Sequence, residues 1–368
     1  MPFEDAIGPE KIVEVYDPIT KMQGVLVIDN TALGPGKGGI RMVPDISVAE
    51  VFSLARAMTW KNAFAGIPFG GAKSGIRSPS VDGGMKEEYV RAFAQHIANL
   101  VPEEYIPGPD MNIGEAEMAI VAETIGTPKA ATGKPVSMGG LPHELGSTGY
   151  GIALATEVAL QHRKMPVSGA TVAIEGFGNV GTFTAKFLSE KGAKIIAVSD
   201  SKGTAHLASG LDYGTLMRVK KEKGTVTAYP GATVLSAAQL FAADCDVLIP
   251  GARPDVINVG NAGLVKAKII VEAANIPMKP EIEHGLSKKG ILVIPDFVAN
   301  AGGVISSYVE FIGGSEQEMF SMVKEKITAN TRLVLEHAKD GDLRAAALAI
   351  AEQRVIEAME KRCSCRIK

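Results

Sequence analysis

Residues 172–181 read Val-Ala-Ile-Glu-Gly-Phe-Gly-Asn-Val-Gly, placing Gly176, Gly178 and Gly181 in G-x-G-x-x-G spacing directly after a short apolar run and ahead of a helical pattern. This feature constrains the fold more than any other. Gly176 permits a tight turn, Gly178 lets a pyrophosphate approach the backbone, and Gly181 lets the helix pack closely. Phe177, Asn179 and Val180 share that turn, and the helix amino terminus offers unpaired N–H groups and a positive dipole to an anion. The next apolar run ends in Ser199-Asp200-Ser201, with Asp200 near the ~20-residue offset at which an acid meets the adenosine ribose hydroxyls. Asp200 favours NAD, whereas Ser201 and Lys202 suit the 2′-phosphate of NADP, so either cofactor is expected, with NAD preferred.

From Ala170 onward, short apolar runs alternate with helical patterns: 171–174, 180–191, 195–199, 247–250, 269–271 and 291–294. Alternation of this kind predicts a parallel sheet covered by helices, an α/β fold. At 368 residues the chain exceeds what one core serves, so two domains are expected. Residues 1–145 are expected to form one α/β domain and residues 146–300 a Rossmann domain, with helices in 301–368 (316–339 and 343–362). In the first domain, strands at 11–16 and 24–28 flank the turn Asp17-Pro18. A helix begins at Ser47, where Ser47 and Glu50 make a capping box. Further helices span 86–100 and 115–125, with Pro102 stopping the former.

The formal charge of −3 arises from 41 acidic and 38 basic residues without a long one-sign block, which argues against nucleic-acid or anionic-membrane partners. Small-molecule substrates are expected. No apolar run approaches ~18 residues and the amino terminus lacks a signal pattern, so a cytoplasmic protein is expected. Cys245, Cys363 and Cys365 are too few and too badly spaced for a disulfide framework or a zinc site, and no metal is expected.

Three glycine-rich stretches read as loops, 34–39, 66–75 and 108–114, and carry or adjoin Lys37, Lys61, Lys73 and Asp110. One loop lysine alone is ordinarily a solvated charge. If these lysines converge, repulsion and partial burial depress at least one ammonium pKa, which makes a lysine useful as a base near neutral pH. Asp110, in Pro107-Gly108-Pro109-Asp110-Met111-Asn112, supplies a carboxylate for proton transfer, although its spacing equally suits a turn or a helix start.

At these residues the chain resembles the glutamate/leucine/phenylalanine/valine dehydrogenase family, closest to its glutamate-acting members. The likeness rests on Lys37-Gly38-Gly39-Ile40-Arg41, Met58-Thr59-Trp60-Lys61, Pro68 to Lys73, Pro109 to Asn112, the 176–181 turn, Glu272-Ala273-Ala274-Asn275 and Asn300-Ala301-Gly302-Gly303-Val304. The resemblance implies that Lys61 binds the α-carboxylate, Lys73 activates water and Asp110 shuttles the amine proton. It implies further that Lys37 and Ser307 meet the γ-carboxylate, with Gly38, Gly39 and Val304 lining the substrate. Thr148, Asn275 and Asn300 would contact the nicotinamide end of the cofactor, and the chain would assemble as a homo-oligomer, a hexamer in the family's usual form. Residues 1–145 would be the substrate-binding and oligomerisation domain, with the helices of 301–368 packed back on it. Read without the family, Thr148 and Asn275 are equally a helix cap and a turn residue.

The implied reaction is reversible oxidative deamination of L-glutamate to 2-oxoglutarate and ammonia. A leucine- or valine-type dehydrogenase is the nearest alternative, since Met42 is at home there. A catalytically silent NAD-binding regulatory subunit is a remoter one. A hydroxy-acid dehydrogenase would need a histidine relay, and none of the six histidines lies in a suitable loop. Three stretches depart from the family pattern: Ser74 stands for a glycine, Gly251-Ala252-Arg253-Pro254 for an Ala-Ala-Leu-rich run, and Ile276-Pro277-Met278-Lys279 for a threonine-rich turn. The lead-in before the first strand is also shorter than in many of the family's hexamers.

Overall fold

Successive residues on a strand face opposite sides of its sheet, and the strand β2 (Gln23–Asn30) is apolar on both. Leu26 and Ile28 enter one core with Ile40, Met42, Ala72, Ile76 and Phe93, whereas Val25 and Val27 enter another with Ile46, Val51 and Ala55. The sheet that β2 joins is therefore covered on both faces. It contains β1 (Lys11–Tyr16), β3 (Gly36–Val43), β4 (Gly70–Arg77) and β5 (Tyr105–Pro109), in the order β1-β2-β4-β3-β5. Helix α1 (Val48–Ala65) joins the parallel strands β3 and β4, while α2 (Lys86–Ile97) and α3 (Glu115–Ile125) supply Phe93, Ile97, Met118 and Val121 to the first core.

These observations come from a computed structural model, which describes residues 3–78, 84–142, 145–338 and 341–366. The chain separates into two units. One comprises Met1–Leu145, Val304–Met319 and Leu348–Lys368; the other comprises Gly146–Gly303 and Phe320–Ala347.

Two of the stretches read as glycine loops are largely strands. Gly36 to Val43 is β3 and Gly70 to Arg77 is β4, with Lys37 opposite Gly71 and Arg41 opposite Gly75. Their glycines serve close approach rather than turning. A Cβ on Gly71 would run into Thr59 of α1, and one on Gly75 into Ile46, so side chains here would push the covering segment off the sheet. The predicted capping box is half present: Ser47 Oγ accepts the Glu50 N–H at 3.2 Å, but the Glu50 carboxylate accepts from Arg41 at 2.9 Å. The stronger charge-assisted partner wins.

The second unit holds a seven-stranded sheet in the order β12-β11-β10-β6-β7-β8-β9. Five strands are parallel: β6 (Thr171–Glu175), β7 (Lys194–Asp200), β10 (Val247–Pro250), β11 (Ile269–Val271) and β12 (Leu292–Ile294). The antiparallel edge of β8 (Gly203–His206) and β9 (Thr233–Leu235) was not predicted, because both are too short and mixed in polarity to signal. Helices α4 (Ser147–His162), α5 (Asn179–Glu190), α6 (Tyr213–Lys223), α7 (Ala237–Leu240), α8 (Pro280–Lys288) and α9 (Asp296–Ala299) belong to this unit. The strand order reverses beside β6, which has β7 on one side and β10 on the other, creating the topological switch point of a doubly wound sheet.

Three helices follow, α10 (Gly302–Phe311), α11 (Glu316–His337) and α12 (Leu343–Arg366). The expected end of α11 at Lys339 lies outside the described residues. All of 301–368 was expected on the first unit, yet Phe320–Ala347 belongs to the second. Phe320 packs edge-on against Tyr150 at 5.2 Å, and Arg344 binds Glu272 at 2.7 Å, Glu283 at 2.5 Å and Asp296 at 3.0 Å. Three carboxylates and one guanidinium are nearly dry there. Burial, then the neighbouring Asp296 and Glu283, push the Glu272 carboxyl well above its usual value.

Arg344→Met would leave those carboxylates without a cation, and denaturant unfolding at pH 7 should show a loss of roughly 3–5 kcal/mol. The carboxyls would then bind protons more tightly folded than unfolded, so the deficit should narrow as pH falls toward 5. An unchanged deficit would reject this account.

Candidate active site

Alternation along β3 places Lys37, Gly39 and Arg41 on one face, and the register with β4 sets Gly71, Lys73 and Gly75 on the same side. Asp110 follows β5 directly and comes over Gly39, where a Cβ would lie 2.8 Å from the Asp110 Cβ. Gly39 thus vacates the space that the carboxylate occupies. The turn is fixed by Asn112, at φ +62, whose amide donates to the Met42 carbonyl at 2.9 Å.

Asp110 Oδ2 accepts from Lys73 Nζ at 2.8 Å and from Arg41 Nε at 3.0 Å, and Arg41 Nη1 donates in turn to Glu50. Burial lowers the Lys73 ammonium from its ordinary value, only partly opposed by Asp110. Burial would raise the Asp110 carboxyl, but Lys73 and Arg41 outweigh it and hold the group low. Such a pair titrates as a unit. A nearly dry amine and a carboxylate in hydrogen-bond contact form a proton-transfer couple.

Lys37 is 4% exposed, and no described residue accepts a hydrogen bond from its amine. Its ammonium fills the space that a Cβ on Gly108 would take. Burial pushes this group down to about 7, with Glu310 opposing and Lys73 and Lys134 assisting. Beside Gly108 lies Thr132, whose hydroxyl is buried without a partner among the described residues. Glu310 accepts from Lys134 Nζ at 2.5 Å, Gly133 N at 2.9 Å and Leu141 N at 3.1 Å. Val304 and Ser307 precede Glu310 at intervals of three on α10, so its anchoring orients their stripe.

Lys61 is half-buried on α1, and the next residue, Asn62, donates to the carbonyls of Gly70 at 2.6 Å and Lys37 at 3.4 Å. The structure therefore joins Lys73 to Asp110 and sets Lys37 on the same sheet face, with α1 carrying Lys61 pinned to both strands. Sequence reasoning missed Arg41, Thr132, Lys134 and Glu310 as individual contributors. Only the predicted convergence of cations hinted that buried acids must accompany them.

In the second unit, Gly176 has φ +96, a conformation that favours glycine, and a Cβ there would press on Ala252 at 3.0 Å. A Cβ on Gly181 would overlap the Gly176 carbonyl, whereas one on Gly178 would meet nothing within 4 Å. The turn is closed behind and open in front. Gly178 caps α5 without a side-chain hydrogen bond, Asn179 and Val180 open the first turn of that helix, and Phe177 is buried. Glu175 Oε2 fixes the neighbouring loop by accepting from Gly251 N at 3.0 Å and Ala252 N at 2.8 Å.

Asp200 Oδ2 accepts from Lys220 Nζ at 2.7 Å and Val226 N at 2.9 Å, and Oδ1 from Lys202 N at 2.9 Å and Thr225 Oγ1 at 3.2 Å. These four bonds fill a carboxylate's capacity. Ser201 beside it is exposed. Asn300 Nδ2 donates to Asn275 Oδ1 at 3.1 Å and Ala273 O at 3.2 Å, while its own Oδ1 is buried without a partner among the described residues. Thr148 lies in the first turn of α4 beside Gly303. An open anion cradle and an orphaned amide oxygen fit a dinucleotide with a carboxamide end.

Cys245 is buried, its thiol pushed up to about 12 by that burial, and Cys363 is exposed. Among the described residues no group of three or more His, Cys, Asp or Glu is placed to hold a metal ion, and no helix is long and apolar enough to cross a membrane.

A Rossmann unit joined to a unit with a dry lysine–aspartate couple defines a nicotinamide-nucleotide-linked oxidoreductase. Residues 139–363 match the model of the Glutamate/Leucine/Phenylalanine/Valine dehydrogenase family, and residues 9–127 match the Glu/Leu/Phe/Val dehydrogenase dimerisation domain. The chain belongs to this family. It is 37% identical to the glutamate dehydrogenase of Aeropyrum pernix, covering 98% of this chain and 93% of that one. It is 40% identical to the NADP-specific glutamate dehydrogenase of Saccharolobus shibatae, covering 96% and 90%. Among solved structures it resembles the hetero-hexameric glutamate dehydrogenase of Thermus thermophilus in its Leu-bound form, with a TM-score of 0.85 and 30% identity over 96% of this chain and 90% of that one.

Gly178→Ala tests the cradle, because an alanine fits the φ of −89° and the open space. Thermal unfolding should be unchanged while dinucleotide binding, followed by fluorescence titration, weakens by at least about tenfold, or about 1.4 kcal/mol. Undiminished binding would place the pyrophosphate elsewhere.

Proposed function

We propose that the chain catalyses the reversible oxidative deamination of L-glutamate to 2-oxoglutarate and ammonia. The observation that carries the substrate choice is the Lys37 ammonium, buried with no described hydrogen-bond acceptor and close to the unpartnered Thr132 hydroxyl. A dry cation of this kind calls for an anionic ligand group, and the side-chain carboxylate of glutamate supplies one. Ser307 completes that subsite, lined by Gly38, Gly39 and Val304. Lys61 takes the α-carboxylate.

A bound nicotinamide would supply the acceptor for the hydride that leaves the amino-acid Cα. Asp110 takes a proton from the substrate amine, and Lys73 draws a proton from the water that attacks the iminium carbon. Asp110 returns a proton to the departing ammonia. Burial lowers the Lys73 ammonium from its ordinary value, so the amine is more readily freed to act as a base than that of an exposed lysine. On the cofactor side, Thr148, Asn275 and Asn300 orient the carboxamide and ribose, and the 176–181 turn holds the pyrophosphate.

Asp200, although the sequence points to NAD, is saturated by Lys220, Val226, Lys202 and Thr225. A carboxylate so neutralised repels a 2′-phosphate weakly, so we infer use of both NAD and NADP. Met42, the residue that suited an apolar-substrate enzyme, is fully buried in the sheet core and argues for neither substrate. A homo-oligomer, with a hexamer as its form, is our reading of the assembly; the dimerisation-domain match and the hexameric Thermus enzyme support it.

An activity panel crossing glutamate, leucine, valine and phenylalanine with NAD and NADP tests these assignments by absorbance at 340 nm. Glutamate should be the best substrate and both cofactors should support turnover. Lys37→Leu should lower kcat/KM for glutamate by at least about a hundredfold, the scale of a lost buried charge pair, and spare the apolar substrates. With Lys37 near 7 in the free chain, dicarboxylate binding at pH 8 should take up a proton. Calorimetry in buffers of differing ionisation heat would detect that uptake, and its persistence in Lys37→Leu would reject the subsite.

A further inference from the structure

Asp110 presents its two oxygens unequally. Oδ2 accepts from both Lys73 and Arg41, whereas no described residue donates to Oδ1. A carboxylate held by one lysine alone can rotate about χ2, since an ammonium imposes no plane on its acceptor. Arg41 Nε approaches from β3 and Lys73 Nζ from β4, so two donors fixed on different strands hold the one oxygen Oδ2 in place. The guanidinium is itself anchored, with Nη1 on Glu50 of α1 at 2.9 Å.

We propose that Arg41 is the positioning residue of the proton-transfer couple: it locks Asp110 with Oδ1 open toward the substrate amine, and Glu50 acts as its counterweight. This rests on the reading of Asp110 as the amine proton shuttle.

The charged and titratable groups facing Asp110 are Lys73 on β4, Arg41 on β3, Glu50 on α1 and the buried phenol of Tyr105 on β5. Tyr105 stays neutral, because burial pushes it well above its ordinary value. Arg41 lowers both Lys73 and Asp110, and Glu50 raises Lys73. Removing the Arg41 charge therefore raises both members of the couple. Removing the Glu50 charge has the opposite sign.

The test is the pH dependence of kcat/KM for glutamate in Arg41→Met, Arg41→Lys, Glu50→Gln and Asp110→Asn, with the cofactor dissociation constant measured alongside. In Arg41→Met the acid limb should move up by about one pH unit, the usual effect of one opposite charge at contact distance. Turnover at pH 7 should fall while cofactor binding stays within about twofold, a difference below 0.5 kcal/mol. Arg41→Lys restores the charge but not the planar fork, so the limb should return while kcat remains low. Glu50→Gln should shift the limb downward by a few tenths of a unit, a fraction of that contact-distance effect.

A merely structural role for Arg41 would lower the amount of folded enzyme without moving the limb. An unmoved limb in both Arg41→Met and Glu50→Gln, a kcat in Arg41→Lys equal to the parent's, or shifts of the same sign in Arg41→Met and Glu50→Gln, overturns the proposal. If Arg41→Met does not fold, the Arg41→Lys and Glu50→Gln profiles decide it. Asp110→Asn with kcat within about tenfold of the parent, or 1.4 kcal/mol, would instead sink the shuttle reading itself.

Discussion

Desolvated positive charge is the constraint on which the first unit is built. Lys37, Lys73 and Lys134 are all buried within one compact region, and each has a different solution. Lys134 is neutralised by Glu310, Lys73 shares Asp110 with Arg41, and Lys37 stands beside a glycine niche with no acceptor among the described residues. Buried charges are tolerated when paired and become functional when they are not. The contrast between Lys134 and Lys37 is what supports a binding role for Lys37.

Glycine makes that crowding possible. Gly39 leaves room for Asp110, Gly108 for the Lys37 amine, and Gly71 for Thr59 of α1. In the Rossmann unit the same residue has three distinct jobs: backbone conformation at Gly176, open frontage at Gly178 and helix contact at Gly181. In that unit Arg344 ties Glu272, Glu283 and Asp296 into a dry cluster, and Asp296 also accepts the Ile276 N–H at 2.9 Å. The loop carrying Asn275 is therefore held by ionic contacts.

Much of this was legible before any coordinates. The glycine fingerprint, the strands at 171–174, 247–250 and 269–271, and the grouping of Lys73 with Asp110 followed from local pattern and family likeness. Lys37 and Lys73 were misplaced on loops, because glycine-rich strands look like turns until the helix that presses on them is known. Thr132, Lys134 and Glu310 were illegible for a different reason. Lys134 and Glu310 are 176 residues apart, and no window of sequence reports a pairing at that distance. Asp200 was recognised by offset alone, yet its partners Lys220 and Val226 lie 20 and 26 residues on, beyond the motif.

The distribution of the C-terminal helices also bears on modularity. The chain leaves the Rossmann unit after Gly303, contributes 304–319 to the first unit, returns for 320–347 and finishes in the first. A gene fragment ending at the boundary near residue 145 would lack Glu310, the carboxylate that pairs with the buried Lys134 ammonium. It would also omit Arg354, whose guanidinium donates to the carbonyls of Ala63 at 2.9 Å and Phe64 at 2.6 Å at the end of α1. Such a chain is hard to shuffle or recombine at a single crossover, because its first unit is complete only once translation has run through α12.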